Sequence, residues 1–327
     1  MAQVAEPAVL AGPKQPGGAA PSEAIIGRSP WELFWRRFRQ DRLAVWSIYF
    51  IVLMIVLAFI GAPLVSKVLG HAPDKVYPYK ALNEFGQPIG PSKEFWFGAD
   101  ALGRDLFVNV LYGARTSLII AFLATGFEIV VGVALGLIAG FYRGKTDTFI
   151  SRAADVVLSL PVLLLALGLT SACGLQKEGC LGGLIKPGLL LVSYVIGIFS
   201  WPYIARIVRG QVLSIREKEF VEAARAMGAS NGRIVFREIL PNVLAPIIVY
   251  STLLIPTNIL FEAALSFLGV GVPPTTPSWG IQLDQASQRF TYAPWLMLFP
   301  GMFLLATTLA FNLVGDGLRD AFDPRMS

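Results

Sequence analysis

Residues 44–65 read AVWSIYFIVLMIVLAFIGAPLV and contain no Asp, Glu, Lys, Arg or His. A helix that crosses the hydrocarbon core of a bilayer needs about 20 apolar residues, so this stretch is long enough to span a membrane. The whole chain has the same character, because 54% of its 327 residues are hydrophobic and only 15% are charged. A soluble domain carries about a quarter charged residues. The sequence therefore predicts an integral membrane protein.

Five further apolar stretches follow, which predicts an all-α polytopic bundle of six transmembrane helices. An even number of spans places both termini on one side. About two-thirds of the 27 Lys and Arg lie in the tail, the second and fourth connections and the C-terminus. Because basic loops stay in the cytoplasm, we expect both termini to be cytoplasmic, in a bacterial inner membrane. The predicted spans are residues 44–65, 116–142, 154–172, 187–207, 243–271 and 293–314.

The N-terminal region divides into a tail and a helix. Residues 1–28 are rich in Ala, Pro and Gly and are predicted to be a disordered tail without a secretory signal. Ser29 and Pro30 suit the cap and first position of a helix, which we predict over residues 29–43. This helix mixes aromatic with basic residues and is expected to lie on the cytoplasmic membrane surface. The residues concerned are Trp31, Phe34, Trp35, Phe38, Arg36, Arg37, Arg39 and Arg42.

The scarcity of chemically reactive residues argues against several classes of function. Only two cysteines and one histidine, His71, occur, so the chain supplies neither a zinc cluster nor a multi-histidine metal site. The net charge of +5 follows the loops, and no basic stripe alternates with stacking aromatic residues, which argues against nucleic-acid binding. No nucleophile clusters with a base, so we expect a non-enzymatic chain without a cofactor or metal of its own.

Three connections are expected on the extracytoplasmic side, and two of them have a distinctive composition. Residues 67–112 contain Pro, Gly and aromatic residues and are predicted to pack as a small cap. The connection between the third and fourth spans contains Cys173 and Cys180, which are close enough in sequence to bridge across a turn. A disulfide and two unrelated small residues remain equal alternatives at this point.

Four glycines, Gly132, Gly136, Gly140 and Gly144, recur every four residues in and after the second span. Residues at this spacing share one helix face, and small residues there let helix backbones approach closely in lipid. We therefore predict that these glycines pack against another helix.

Two carboxylates lie within predicted spans, Glu128 in the second and Glu262 in the fifth. An ionisable group inside a bilayer costs about 2.5–3.5 kcal/mol to insert, so each is a candidate functional residue. Glu128 is expected to stabilise helix contacts. Glu262, which has Ser266 one turn away, could equally line a transport pathway or stabilise the bundle.

Residues 140–146, GFYRGKT, resemble the end of a nucleotide-binding phosphate loop. That motif requires four residues between its glycines and a preceding strand, whereas here three residues intervene and an apolar span precedes. We therefore expect no ATP site in this chain, and any ATP would be hydrolysed by another subunit.

The strongest local pattern lies in the connection between the fourth and fifth spans, residues 214–241. Glu222-Ala223-Ala224-Arg225-Ala226-Met227 reads as a helix that ends at Gly228, and Ser230 can cap a second helix that ends at Pro241. The small Ala residues would allow a partner surface to approach closely. The segment is predicted to be two short helices joined by a glycine bend.

This segment resembles the "EAA" loop of ABC importer permeases, in which EAA, three residues and Gly precede a run ending in Ile-x-Leu-Pro. Glu222, Ala223, Ala224 and Gly228 match with the same spacing, as do Leu240 and Pro241, whereas Glu238 occupies the Ile position and Ile239 follows it. Other segments resemble the dipeptide and oligopeptide permease "C" subunits, over about residues 30–325. These are residues 97–105 (FGADALGRD), 262–269 (EAALSFLG), 277–280 (PSWG) and 315–324 (GDGLRDAFDP).

The resemblance implies a type I ABC importer transmembrane domain over residues 44–327 that forms half of a pore for peptides. It implies four partners: a homologous B-type permease, two cytoplasmic ATPases that hold ATP and Mg, and an extracytoplasmic binding protein. In such importers the EAA helix docks on an ATPase, so the residues expected to couple are Glu222, Ala223, Ala224, Arg225, Met227, Gly228, Ala229, Leu240 and Pro241. Members of the group also carry nickel chelates, glutathione and sugars, and a proton- or ion-coupled secondary transporter is the other alternative.

Overall fold

The computed structural model of the protein describes residues 30–174 and 188–322. Within these residues the chain is helical, and strand pairing is confined to two isolated bridges, Leu82 with Pro88 and Ala99 with Asp105. The described helices are α1 (Pro30–Gln40), α2 (Arg42–Leu69), α3 (Leu106–Tyr142), α4 (Gly144–Ser159), α5 (Val162–Gly174), α6 (Leu189–Ile215), α7 (Glu219–Ala226), α8 (Asn231–Phe267), α9 (Trp279–Ser287) and α10 (Trp295–Phe322).

Five of the described helices, α2, α3, α6, α8 and α10, are long and apolar enough to cross a membrane. The pair α4 and α5 makes a sixth span if the two are counted together, with a bend of 83° between them. α3 lies at the centre and makes its most extensive contact with α6. The predicted polytopic helical bundle is confirmed.

The third predicted span, residues 154–172, falls on two helices, α4 and α5. Leu160 adopts an extended conformation, φ −96° and ψ 145°, and separates α4 from α5. Pro161 follows, and a proline disfavours helical geometry in the residue before it and has no N–H to continue the ladder. The chain therefore turns sharply at this point.

Two span boundaries differ from those predicted. α3 begins at Leu106 rather than residue 116, because the Asp105 carboxylate accepts hydrogen bonds from the Phe107 and Val108 N–H groups and caps the helix there. A charged Arg115 within the helix hides this start from a hydropathy scan, and its guanidinium lies 5.6 Å from the centre of the Phe59 ring. α8 similarly begins at Asn231 instead of residue 243, so it includes the second helix of the predicted pair.

The N-terminal helix α1 packs on protein rather than presenting all its aromatic residues to lipid. Phe34 and Phe38 are buried against the end of α10, and the ring centres of Phe34 and Phe322 are 4.3 Å apart. Among the aromatic residues 34, 35 and 38, Trp35 is the one with an open face, at 52% exposed. The predicted interfacial helix therefore has a protein contact that its sequence does not reveal. Ser29 and the tail lie outside the described residues.

The chain between α2 and α3 forms the predicted cap, held by buried polar side chains. His71 Nδ1 lies 2.6 Å from Asp105 Oδ2, and the His71 ring stacks on Phe95 with a centroid distance of 5.0 Å. Asp100 accepts hydrogen bonds from the Arg104 backbone N–H at 2.8 Å and from Arg104 Nε at 2.6 Å. The cap thereby fixes where α3 begins.

The short helix α9 was not expected from the sequence. Its residues Trp279 and Gln282 donate hydrogen bonds to the carbonyls of Val110 and Asn109 at 3.2 and 2.7 Å. These contacts attach the connection between α8 and α10 to the first turns of α3. The cap and α9 therefore lie at one end of α3, about 55 Å along its axis from Tyr142 at the other.

Candidate functional site

The segment that matches the EAA pattern forms an elbow, defined here as residues 219–241, at the Tyr142 end of α3. α7 ends in a Schellman motif, in which the Gly228 N–H donates to the Arg225 carbonyl and the Ala229 N–H donates to the Ala224 carbonyl, both at 3.0 Å. Gly228 has φ +79°, a conformation that favours glycine. Ser230 then caps α8 by accepting a hydrogen bond from the Arg233 N–H. The elbow geometry is thus specified locally.

A buried apolar cluster holds the elbow to the bundle. Val221 and Ala224 from α7 pack with Ile234 and Ile239 from α8 and with the α6 and α3 residues that they meet. These elbow side chains are inaccessible or nearly so. The cluster members from α3 and α6 are Leu137, Phe141, Ile204, Val208 and Val212. A displacement of α7 would therefore be transmitted to α3, α6 and α8.

The predicted helix end at Pro241 is wrong, because α8 passes through this proline without a break. The turn before it, Ile234–Ile239, is π-helical. Pro241 has no N–H for the Arg237 carbonyl, and a wider turn is one way in which a helix tolerates that loss. The wide turn places Ile234 and Ile239, five residues apart, in the same buried cluster. Ile239 therefore takes the inward position, and Glu238 is the residue outside it.

The opposite face of α7 is open. Glu222, Ala223 and Arg225 are exposed, and Met227 is 81% exposed. Of the predicted coupling residues, Ala224 is buried and Ala229 and Leu240 are partly buried, so they support the elbow instead of presenting a surface. The structure thus separates the predicted set into an outward face and an anchoring face.

The base of the elbow is tied to the end of α3 by arginines. Arg143 Nη2 lies 2.5 Å from Glu217 Oε1, and Arg216 donates a hydrogen bond to the Phe141 carbonyl. Burial lowers the pKa of Arg216 from its ordinary value, and the positive charges of Arg143 and Arg225 act in the same direction. Positive charge is therefore concentrated where α3, α6 and α7 meet.

Three of the four predicted packing glycines lie in the seam between α3 and α6, defined here as Gly132, Gly136 and Gly140 with the α6 residues opposite. A Cβ atom on any of them would approach α6 closer than real Cβ atoms do. The closest atoms would be Ile204 Cγ2 at 1.8 Å for Gly132, the Ala205 carbonyl oxygen at 2.7 Å for Gly136 and Val212 Cβ at 2.7 Å for Gly140.

Gly144 does not belong to this seam, so the packing prediction is wrong for it. Gly144 begins α4 with φ +57°, and a Cβ atom there would have no heavy atom within 4 Å. The helix phase changes between Tyr142 and Gly144, because Arg143 is left-handed with φ +55°. A four-residue spacing cannot reveal such a break.

The two membrane carboxylates are both fully buried but differ in their partners. Glu262 accepts hydrogen bonds from Ser117 at 2.8 Å and from Ser266 at 2.7 Å. Neither carboxylate oxygen of Glu128 has a hydrogen-bond partner within residues 30–174 and 188–322. The side chains of Asn258 in α8 and Ser200 in α6 lie beside it, and Asn258 donates to Thr125 at 2.9 Å. The hydrogen bond from Ser117 to Glu262 thus joins α3 to α8. No sequence pattern predicts that Ser117 and Asn258 take part in these buried polar contacts.

Cys173, at the C-terminal end of α5, is buried among apolar residues of α6 and α8. Its predicted partner, Cys180, lies outside the described residues, so the Cys173–Cys180 bridge stays a prediction. Over the part of the chain that the structure describes, three or more His, Cys, Asp or Glu side chains nowhere group as metal ligands would.

Comparisons with known proteins add to this geometry. Residues 132–327 match the family described as "Binding-protein-dependent transport system inner membrane component", and residues 29–84 match "N-terminal TM domain of oligopeptide transport permease C". The chain is 40% identical over 312 residues to the dipeptide transport system permease protein DppC of Alkalihalophilus pseudofirmus, covering 95% of each. It is 38% identical to the glutathione transport system permease protein GsiD of Pectobacterium atrosepticum, over 91% of this chain and 92% of that one.

Among solved structures, the methionine ABC transporter MetNI in inward-facing conformations resembles this fold with a TM-score of 0.54. The likeness covers 65% of this chain and 96% of that one at 21% sequence identity, so it bears on the fold alone.

Proposed function

Because the chain belongs to the family of binding-protein-dependent transport system inner membrane components, we propose that it is the C-type permease of a short-peptide importer. In this role it forms half of a translocation pathway beside a homologous B-type permease. Two ATPase subunits supply ATP hydrolysis with Mg, and an extracytoplasmic binding protein delivers the substrate. The chain itself is non-catalytic and transmits the movement.

The observation that carries this proposal is the two-sided construction of α7. Its exposed face, Glu222, Ala223, Arg225 and Met227, offers a compact surface to a partner, while Ala224 anchors it to the bundle. A conformational change needs a differential contact in the two states and a stiff element to transmit it. α7 supplies the contact surface, and the buried cluster supplies the stiff connection to the spans.

This role sets the orientation of the chain. The elbow faces the cytoplasm, where the ATPases are, and both termini lie on that side. The cap between α2 and α3 then faces the binding protein. The basic character of the elbow supports the assignment, because Arg216, Arg225, Arg233 and Arg237 lie in or beside it and positive loops remain cytoplasmic.

We propose short peptides as the substrate class. Relatives over more than 90% of the chain are named for dipeptide and for glutathione transport, and glutathione is itself a modified tripeptide. A pathway for such substrates must accept both termini of a short peptide backbone. The substrate class is tested by purifying the binding protein encoded next to this chain with its bound ligand, and identifying the ligand by mass spectrometry. A nickel chelate or a sugar as the bound ligand would contradict short peptides as the substrate class.

Substitution of Gly228 by Asp tests the coupling role. We expect Gly228→Asp protein to insert into the membrane and to retain ATP hydrolysis by the assembled complex, but to lose uptake, because a charge at the bend disturbs docking of α7. Uptake and ATPase activity are measured together in reconstituted vesicles.

The matched control is Gly86→Asp. Gly86 lies in the cap with φ +71° and, like Gly228, has no atom within 4 Å of an added Cβ. It therefore receives the same charge and the same backbone strain at the other end of α3, and the uptake per ATP hydrolysed should stay unchanged, because a cap that faces the binding protein lies away from α7. Normal uptake by Gly228→Asp would remove the coupling role from the elbow.

A further inference from the structure

Helix α4 connects two apolar helices at the α7 end of the bundle. The apolar run of α3 ends at Tyr142, and the apolar helix α5 begins at Val162 at an angle of 83° to α4. A charged helix that bends sharply away from a membrane helix lies where the hydrocarbon meets the headgroups. Within the bent pair, α5 is then the part that enters the membrane, and α4 lies at the membrane boundary on the α7 side.

One face of α4 is closed by ion pairs to α6. Arg209 Nε lies 2.5 Å from Asp147 Oδ1, and Arg206 Nη2 lies 2.5 Å from Asp155 Oδ1. Asp147 and Asp155 are about 12 Å apart along α4, whereas their partners are about 4.5 Å apart along α6. The two helices therefore cross, and the acidic residues of α4 are both neutralised at the crossing.

The other face of α4 alternates cations with apolar side chains. Lys145, Phe149, Arg152 and Val156 follow at spacings of four, three and four residues, which places them on one helix face. All four are exposed, Phe149 at 76% and Val156 at 62%. Neither Lys145 nor Arg152 has an ion-pair partner in the part of the chain that the structure describes.

This face also contains a shallow depression of about 600 Å³ lined by Gly144, Lys145, Thr148, Phe149 and Arg152. A fully aqueous surface would not favour the exposed Phe149 and Val156, and a hydrocarbon surface would not favour two unpaired cations. A phospholipid with a negative headgroup satisfies both requirements, because its phosphate and its acyl chains lie one above the other.

We propose that this face of α4 binds anionic phospholipid, with Lys145 and Arg152 holding the headgroup and Phe149 and Val156 entering the acyl region. Lys145 lies in the stretch GFYRGKT, which resembles the end of a nucleotide-binding phosphate loop. In this proposal Lys145 binds the phosphate of a lipid headgroup and not that of a nucleotide. The inference does not depend on the transported substrate or on coupling through α7.

A photo-crosslinking experiment on the full-length chain, purified with its co-purifying subunits, tests the proposal. Benzoylphenylalanine replaces Phe149, and the protein is reconstituted in nanodiscs of equal parts phosphatidylglycerol and phosphatidylcholine. Illumination is followed by mass spectrometry of the adducts. We expect lipid adducts with a phosphatidylglycerol to phosphatidylcholine ratio of about 5:1, against 1:1 in the bilayer, since each basic residue attracts anionic lipid.

Two comparisons make the result decisive. The same probe at Leu305, an exposed residue within α10, should form lipid adducts that follow the bilayer composition. The double variant Lys145→Gln, Arg152→Gln should keep the adducts at position 149 but lose their enrichment. Adducts to another protein subunit, or equal enrichment at positions 149 and 305, would overturn the proposal even if the double variant failed to fold.

Discussion

The seam between α3 and α6 and the elbow between α7 and α8 both depend on glycine, but an added side chain would meet a different obstacle in each. At Gly136 the obstacle is the neighbouring helix, since the Ala205 carbonyl oxygen would lie 2.7 Å from a Cβ atom. At Gly228 the space is empty, and the obstacle is the φ of +79°. The seam glycines therefore serve contact between helices, whereas the elbow glycine serves the conformation of its own backbone.

The difference affects how each region can move. The seam has no room for a methyl group at any of its three glycines, which cover two turns of α3. Because well-packed interfaces change between discrete arrangements and do not deform continuously, we expect α3 and α6 to move together. In the elbow, the short helix α7 is held on one face only, and its other face and the bend at Gly228 are exposed. A rigid bundle with an exposed helix face at one end is suited to the proposed function, in which it transmits a movement that begins outside it.

The largest effect is expected from Gly136→Leu in the seam. The side chain would require α3 and α6 to separate, and overpacking of this kind costs about 3 kcal/mol. We expect little folded protein in the membrane fraction, measured by yield and by size-exclusion chromatography in detergent. Gly126→Leu on the same helix is the control, because Gly126 is exposed with no atom within 4 Å of an added Cβ. Equal losses from both substitutions would show that the seam is not the sensitive contact.

A double-mutant cycle at Gly132 and Ile204 should give the intermediate effect. Each single change to Ala destabilises the protein, through a clash at Gly132 and a cavity at the buried Ile204. Together they should cost less than their sum by about 1–2 kcal/mol, because the Ile204 methyl group that clashes is removed. Thermal melting in detergent measures the three variants. Strict additivity would contradict the close contact.

The smallest effect is expected from Gly228→Ala, at about 1 kcal/mol, because an L residue in the left-handed region is strained. Gly210→Ala is the control, since Gly210 lies within α6 with open space around it and Ala favours helices over Gly. Melting temperatures should therefore move in opposite directions for the two variants. A lower melting temperature for both would show that the loss at Gly228 does not depend on its left-handed φ.

Much of the fold and part of the site could be predicted from local sequence. The family predicted from Glu222, Ala223, Ala224 and Gly228 is confirmed by relatives that cover most of the chain. The spans were predictable because a membrane helix is apolar along its whole length. The ends of the spans were harder to predict. In α3, Arg115 interrupts the apolar sequence, and the helix start is set by the N-cap residue Asp105.

The sequence by itself determined that the chain crosses a membrane, how many apolar segments it has and where the loop with the EAA pattern lies. Each of these follows from composition or spacing within a few neighbouring residues. Only the tertiary structure decided that Phe34 packs on Phe322, that Ser117 donates to Glu262 145 residues away, and that Gly144 leaves the glycine face. These contacts join residues distant in sequence or follow a change of backbone direction, so their energies depend on how whole helices pack.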